Sequence, residues 1–454
     1  MACDHGQPVC ARCTERDRAD SCTYRTRPFK KKRGHCSYVE PALSQPDPDH
    51  GPHVPRNAPQ PNISSILYEN YIIHSLIDGD QSLVTWRRLG DLISCLLALG
   101  YHEEMDSTNS LPGFVTSLRK SAYAYSYTAD KNLSIFLGRP PRIHPKFGRF
   151  HVAYLNVSGQ MENEAQSPLW DATTPFDFQA EAQWSATCAA IKEEVLHPLS
   201  ESPSEHRSQK LRLTLNEIES RWALLPPHFR LEEKLKLCDR TPLETALLLD
   251  VKLNYLHMLF LVRLALMRNI LETDNDLFAI AFEMFDLVIE AVMLKDNVAH
   301  GSTSLVWKVS YFGLASAGTI CLSLLQPSFL AEQHVSVQFK IFQNLAILVA
   351  EVESGTLVAP EDANYALLAS ATQTITSVLQ SLLPGRGEQQ QQERRHQNCE
   401  ASPRDLEPQS LTEELHEPWS PWRHSGYQDF ELDFWNTLAE HPSLVGDESY
   451  PSQV

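Results

Sequence analysis

Strand signals are scarce in this sequence. Across 454 residues there is almost no alternating apolar and polar run bounded by turn formers, which argues against a sandwich or barrel. No cationic segment followed by an apolar core opens the chain, so a secretory leader is not expected. Catalytic signatures are missing as well. There is no G-x-S-x-G elbow, HEEM at 102–105 is not an H-E-x-x-H helix, and GLASAGT at 313–319 has phosphate-loop spacing without its lysine. An enzyme is therefore not expected. The stretch 309–331 carries no charge, but its Ser and Thr content and Pro327 suit a buried helix better than a membrane span, and no membrane partner is expected.

The apolar share of 42% and charged share of 21% are those of an ordinary globular protein long enough for two or three domains. The net charge of −18 is unevenly placed: the amino-terminal arm is basic and much of the excess acid lies in the last fifty residues. Ten cysteines do not describe a disulfide scaffold, because six of them (Cys36, Cys95, Cys188, Cys238, Cys321 and Cys399) are scattered singly, as reduced intracellular thiols are.

The other four are concentrated. Cys3, Cys10, Cys13 and Cys22 lie in ACDHGQPVCARCTERDRADSCTY, separated by six, two and eight residues. Thiolates on loops this short can converge on one tetrahedral Zn²⁺, so zinc is the expected cofactor. Arg12 lies inside the cluster, and Arg25, Arg27, Lys30, Lys31, Lys32 and Arg33 follow it with no acidic residue among them. Such cations suit contact with a phosphate backbone and nuclear import, so DNA is the expected partner and the nucleus the expected location.

The cluster resembles the second half of the binuclear six-cysteine zinc cluster of fungal transcription factors. Cys3-Asp4 matches the third cysteine of that pattern, Cys10, Cys13 and Cys22 the last three, and Tyr24 the trailing aromatic. The family's first two cysteines and its basic recognition helix have no counterpart here; a reading frame missing its start, or a crippled finger, is the expectation. The family's two-metal geometry then cannot form, whereas one four-thiolate zinc can.

Residues 40–61 are a proline-rich linker, and no leucine heptad follows the cluster, so a dimerising coiled coil is not evident and the oligomeric state stays open. From 62 to 384 the pattern is helical. Trp86, Leu89, Ile93, Leu96 and Leu97 recur at helical spacing before a terminating Gly100. Thr241-Pro242-Leu243-Glu244 reads as a capping box, Asp274 or Asn275 as the next cap, and further apolar helices are expected over 304–326, 336–353 and 362–383. The strings GDQSLVTWRRLGDLISCLLALGYHEE and LRKSAYAYSYTADKNLSIFLGRPPRI are similar to the family's regulatory middle homology domain. In the second, Tyr123 and Ala124 replace two tryptophans, while Tyr127, Asp130, Lys131, Ser134, Leu137, Gly138, Arg139 and Pro140 keep the frame. The start of that domain looks shortened. LGRPPRI by itself reads as a helix end and turn.

The expected architecture is mostly α: a zinc-cluster remnant with a basic arm (1–39), the linker (40–61), an all-α regulatory domain (62–384), and a low-complexity spacer with an acidic-aromatic tail (385–454). In that tail Asp429, Glu431 and Asp433 alternate with Phe430, Leu432, Phe434 and Trp435. The alternation suits either a solvated appendage or an activation segment that folds on a coactivator, with its aromatics kept available by the charges. The resemblance implies a DNA-binding regulator of RNA polymerase II genes, of the pathway-specific kind that serves secondary-metabolite clusters, controlled by a small-molecule effector or an intramolecular clamp. The competing expectation is a non-DNA-binding interaction protein that acts through its helical body as corepressor or decoy.

Overall fold

The computed structural model describes residues 61–103, 112–144, 170, 172–199, 204–267, 274–296, 303–326, 329, 334–382, 435 and 438. The chain divides into two compact units, Met1–Asn57 and Ala58–Val454, and every described residue belongs to the second. The zinc-cluster cysteines and the basic arm lie outside the described residues.

Ten helices and no strand occur among the described residues, so the expected all-α body is what the chain forms. They are α1 (Pro61–Ile77), α2 (Leu83–Ala98), α3 (Gly113–Leu137), α4 (Phe178–Leu199), α5 (Glu205–Leu224), α6 (Pro242–Leu266), α7 (Asn275–Met293), α8 (Leu305–Leu324), α9 (Val335–Glu353) and α10 (Tyr365–Leu382). Local chemistry sets their ends. Thr241 Oγ1 accepts from the Glu244 amide (3.3 Å) and Glu244 Oε2 accepts from the Thr241 amide (3.1 Å), the reciprocal bonds of a capping box, with Pro242 at the first helical position. Asp274 caps α7 through the amides of Asp276 and Leu277. Helices α2 and α3 both end on a left-handed glycine, Gly100 (φ 72°) and Gly138 (φ 61°). In each the next amide reaches back five residues, Tyr101 to the Leu96 carbonyl and Arg139 to the Ser134 carbonyl, so the open carbonyls of the last turn are satisfied. A side chain at either position would be strained.

Helix α4 packs between α3 and α6, α7 lies against α6 and α8, and α10 lies on α9. One continuous apolar core runs through them, with Trp184 fully inside it and its indole N–H donating to the Val251 carbonyl on α6 (3.1 Å). Three helices are long and apolar enough, by length and composition, to cross a membrane: Pro242–Leu266, Leu305–Leu324 and Val335–Glu353. In the first two, 83% and 67% of the apolar window is buried inside this fold, so their hydrophobicity is used in the core.

Helix α8 is interrupted. Val309–Gly313 forms one π-helical turn between Lys308 and Leu314. The extra residue in that turn rotates successive side chains relative to an α-helix, and Tyr311 and Phe312 leave it in directions an uninterrupted helix would not give them.

Candidate functional site: a closed polar cluster and an open central cavity

The two strings singled out in the sequence meet in space. Trp86, from the first, carries the Arg142 guanidinium over its ring at 3.5 Å from the centroid, with Arg139 further out at 5.4 Å, both from LGRPPRI. Gly90 leaves room for it, because a Cβ there would stand 3.2 Å from Arg142 Nε and push the guanidinium back by a few tenths of an ångström. Beneath the turn, both Asp130 carboxylate oxygens accept from the Arg142 amide (3.0 Å each) and Oδ2 accepts from the Ile143 amide (2.9 Å). Lys131, fully buried, lies 3.2 Å from Asp130 and 3.0 Å from Glu193 on α4, and it also donates to the Ile143 carbonyl. Tyr127 donates to the other Glu193 oxygen (2.7 Å). Asp130, Lys131 and Glu193 each have an opposite charge or several donors at hand, as buried ions require, while Arg142 Nη1 is buried without a hydrogen-bond partner among the described residues. The motif thus builds a turn and clamps it to α2 and α4.

A few ångströms of helix away the polar groups are arranged differently. Six segments, α1, the α1–α2 turn, α3, α4, α6 and the start of α8, enclose a cavity with about 110 Å³ of room for the centres of water-sized molecules. Asp80, Glu181 and Asp250 all lie on its wall. Asp250 is paired with Lys308 (2.9 Å), which also donates to the Thr303 carbonyl and hydroxyl. Ser185 donates to Glu181 (2.5 Å), and Asn254 donates to Ser185 (3.4 Å). Asp80 is held by its backbone, its amide donating to Asn364 Oδ1 (2.9 Å) just before α10. Burial pushes the Asp80 carboxyl up to about 7, against the smaller lowering effect of hydrogen bonds from Asn364 and Ser75.

Behind the cavity wall stands Lys192, fully buried, donating to Asn132 Oδ1 (3.1 Å) and Asn254 Oδ1 (2.8 Å). Burial lowers its ammonium to about 7, so neutral and charged forms are both populated near physiological pH. The π turn frames this corner. Phe312 lines the cavity, while Tyr311 donates to Asn132 Oδ1 (3.0 Å) and stacks on Trp307 (centroids 4.9 Å apart). His257, enclosed by Tyr311 and Phe312, is driven well below its ordinary range by burial and then by Lys192.

The residues expected to bind metal and DNA, Cys3, Cys10, Cys13, Cys22, Arg12, Arg25, Arg27, Lys30, Lys31, Lys32 and Arg33, lie outside the described residues, as do Phe430, Leu432 and Phe434. Among the described residues no group of three His, Cys, Asp or Glu side chains is placed to hold a metal. Of the scattered cysteines, Cys188 and Cys321 are buried and Cys95 and Cys238 half-buried, and burial pushes the Cys321 thiol up to about 12. Trp435 departs from expectation. It is fully buried, as is Leu438, and Thr374 Oγ1 on α10 donates to the Trp435 carbonyl (3.4 Å). Both are helical and three apart, so they present one apolar side, and the gain from burying it outweighs the hydration of the acidic neighbours. Trp435 is therefore not held available in the free chain.

Sequence reasoning missed the cavity residues. Their signal is a lone charge inside an apolar helix, Asp250 in LLLDVKL and Lys308 in LVWKV, where burial demands a partner from a distant segment. Comparison with protein-family models, curated proteins and solved structures finds no match to this chain, and the zinc-cluster resemblance rests on the residues quoted for it.

Proposed function

We propose that this chain is a transcriptional regulator of the fungal zinc-cluster kind, in which a small metal-bound module touches DNA and the helical body governs its output. The observation that carries the reading is the cysteine spacing at 3, 10, 13 and 22, followed at once by the cations from Arg25 to Arg33. Zinc would fold the module, since thiolate coordination supplies folding free energy that so small a core lacks. The basic arm would then hold phosphates, a contact that positions without specifying sequence. Support for a regulatory body comes from α1 to α4, where the two middle-homology strings pack against each other through Trp86 and Arg142 and wall a cavity. Trp435 seated on α10 favours the intramolecular clamp over a permanently open tail.

The test is metal content and DNA binding on the same preparation. Purified chain is expected to carry about one zinc. It should bind duplex DNA without sequence preference, with Kd of about 10⁻⁴ to 10⁻⁶ M and a steep salt dependence. Replacing Lys30, Lys31, Lys32 and Arg33 by Gln should weaken that binding evenly across sequences. Metal-free protein with four freely titrating thiols, or no DNA binding at low salt, would overturn the proposal in favour of a partner-binding protein.

A further inference from the structure

Two groups on the wall of the central cavity are deeply buried and not closed off by a partner of complementary kind. Asp80, 5% exposed, has no ion pair among the described residues; its carboxyl meets only the neutral Asn364 and Ser75 side chains. Tyr71, also 5% exposed, has a hydroxyl with no hydrogen-bond partner among the described residues. Both groups line the same cavity, and the Tyr71 hydroxyl is pushed well above its ordinary range by burial first and by Asp80 next. A buried carboxyl left without a counter-charge is costly to the fold unless something else supplies one.

The sign of the missing charge follows from the rest of the wall. Burial and then Glu181 raise both Tyr68 and Tyr125, and Asp250 adds to the shift of Tyr125, so the acids of the wall bias the cavity's potential negative. Of the two nearby cations, Lys308 is committed to Asp250, and Lys192 lies behind the asparagines with its charge weakened by burial. The apolar part of the wall is largely aromatic. Tyr68 sits 6.0 Å from Tyr71 and 5.8 Å from Tyr125, ring to ring, and Trp307 and Phe312 close the far side. Aromatic faces attract cations, and more strongly when water is excluded. The room corresponds to roughly seven to eleven water-sized groups.

We infer that the cavity is a binding site for a compact organic amine in its ammonium form, carried on a short alkyl or phenylalkyl body. The ammonium sits on the Asp80 carboxylate and donates a hydrogen bond to the Tyr71 hydroxyl, and the body lies against the aromatic faces. An anion is repelled by the acids, and a neutral alcohol of the same shape leaves Asp80 without a counter-charge. The inference deepens the proposed function, since such an amine would be the effector of the helical body; the binding itself does not depend on zinc or DNA.

Calorimetric titration of the full chain with phenylethylamine, phenylethanol and phenylacetate tests it. The amine should bind one site per chain at least about tenfold more tightly than either analogue. Asp80→Asn should weaken it about tenfold or more, and Tyr71→Phe by about threefold with the melting temperature unchanged. If Asp80→Asn does not fold, Tyr71→Phe decides. Equal binding of amine and alcohol, no binding of the amine at millimolar concentration, or a Tyr71→Phe protein with wild-type affinity overturns the inference. Zinc content and DNA binding measured on the same samples separate the two outcomes: either property can be lost with the other intact.

Discussion

The Asp130–Lys131–Glu193 cluster and the Asp80–Tyr71 wall are built from the same kinds of group and neighbour the same helix, α3, yet one closes on itself and the other does not. In the cluster a buried lysine lies between two carboxylates, and a tyrosine hydroxyl and two backbone amides take up the remaining oxygens. At the cavity, among the described residues, a carboxyl of similar burial has neutral partners only, and the Tyr71 hydroxyl on the same wall has none. Full satisfaction marks groups that hold the fold; incomplete satisfaction beside open space marks groups with something further to do.

The largest break in that contrast should come from Lys131→Met. Removing the cation leaves Asp130 and Glu193 buried side by side, and the loss should be about 3 to 5 kcal/mol in chemical denaturation. A loss below about 1 kcal/mol would mean the cluster is hydrated and not structural.

Asp80 should show itself through pH. Its carboxyl is raised from 3.8 to about 7 in the fold. Between about pH 4 and pH 7 the folded chain keeps a proton that the unfolded chain has released, so stability falls as pH rises through this window and the loss is complete above it. Asp80→Asn should remove that slope, leaving the variant more stable than wild type at pH 8 by on the order of a few kcal/mol and close to it at pH 4. Lys192 and His257 shift the profile of both proteins alike, so the difference between the two melting curves isolates Asp80. Parallel curves across the range would refute the assignment.

A pair of identical substitutions sharpens the comparison at its smallest scale. Tyr127→Phe deletes a hydrogen bond to a buried carboxylate and should cost about 1.5 to 3 kcal/mol. Tyr71→Phe deletes a hydroxyl without a partner among the described residues and should leave stability within about 0.5 kcal/mol of wild type. Equal losses for the two would show that the Tyr71 hydroxyl is engaged in the fold after all.

Much of the helical body was legible in the sequence because its signals are local. The Thr241–Glu244 box, the Asp274 cap and Gly100 each act within one turn, and each is found where the spacing puts it. The turn reading of LGRPPRI also stands, with Gly138 left-handed, but its reason was invisible: Asp130 holds the turn's amides while Lys131 reaches Glu193 on α4, more than sixty residues away. Trp435 was misjudged for a related cause, since its acidic neighbours described the segment in water and not the apolar surface of α10 that receives it.

By itself the sequence determined the helical periodicity, the helix ends and the concentration of thiols and cations near its start, because these depend on residues a few positions apart. Only the tertiary structure decided which buried charges would meet. Asp250 finds Lys308 across 58 residues and Asp80 finds no cation among the described residues, although both sit in apolar surroundings. Pairing of buried charge is settled by which helix faces pack together, and that choice is made by the whole core at once and not by any one segment.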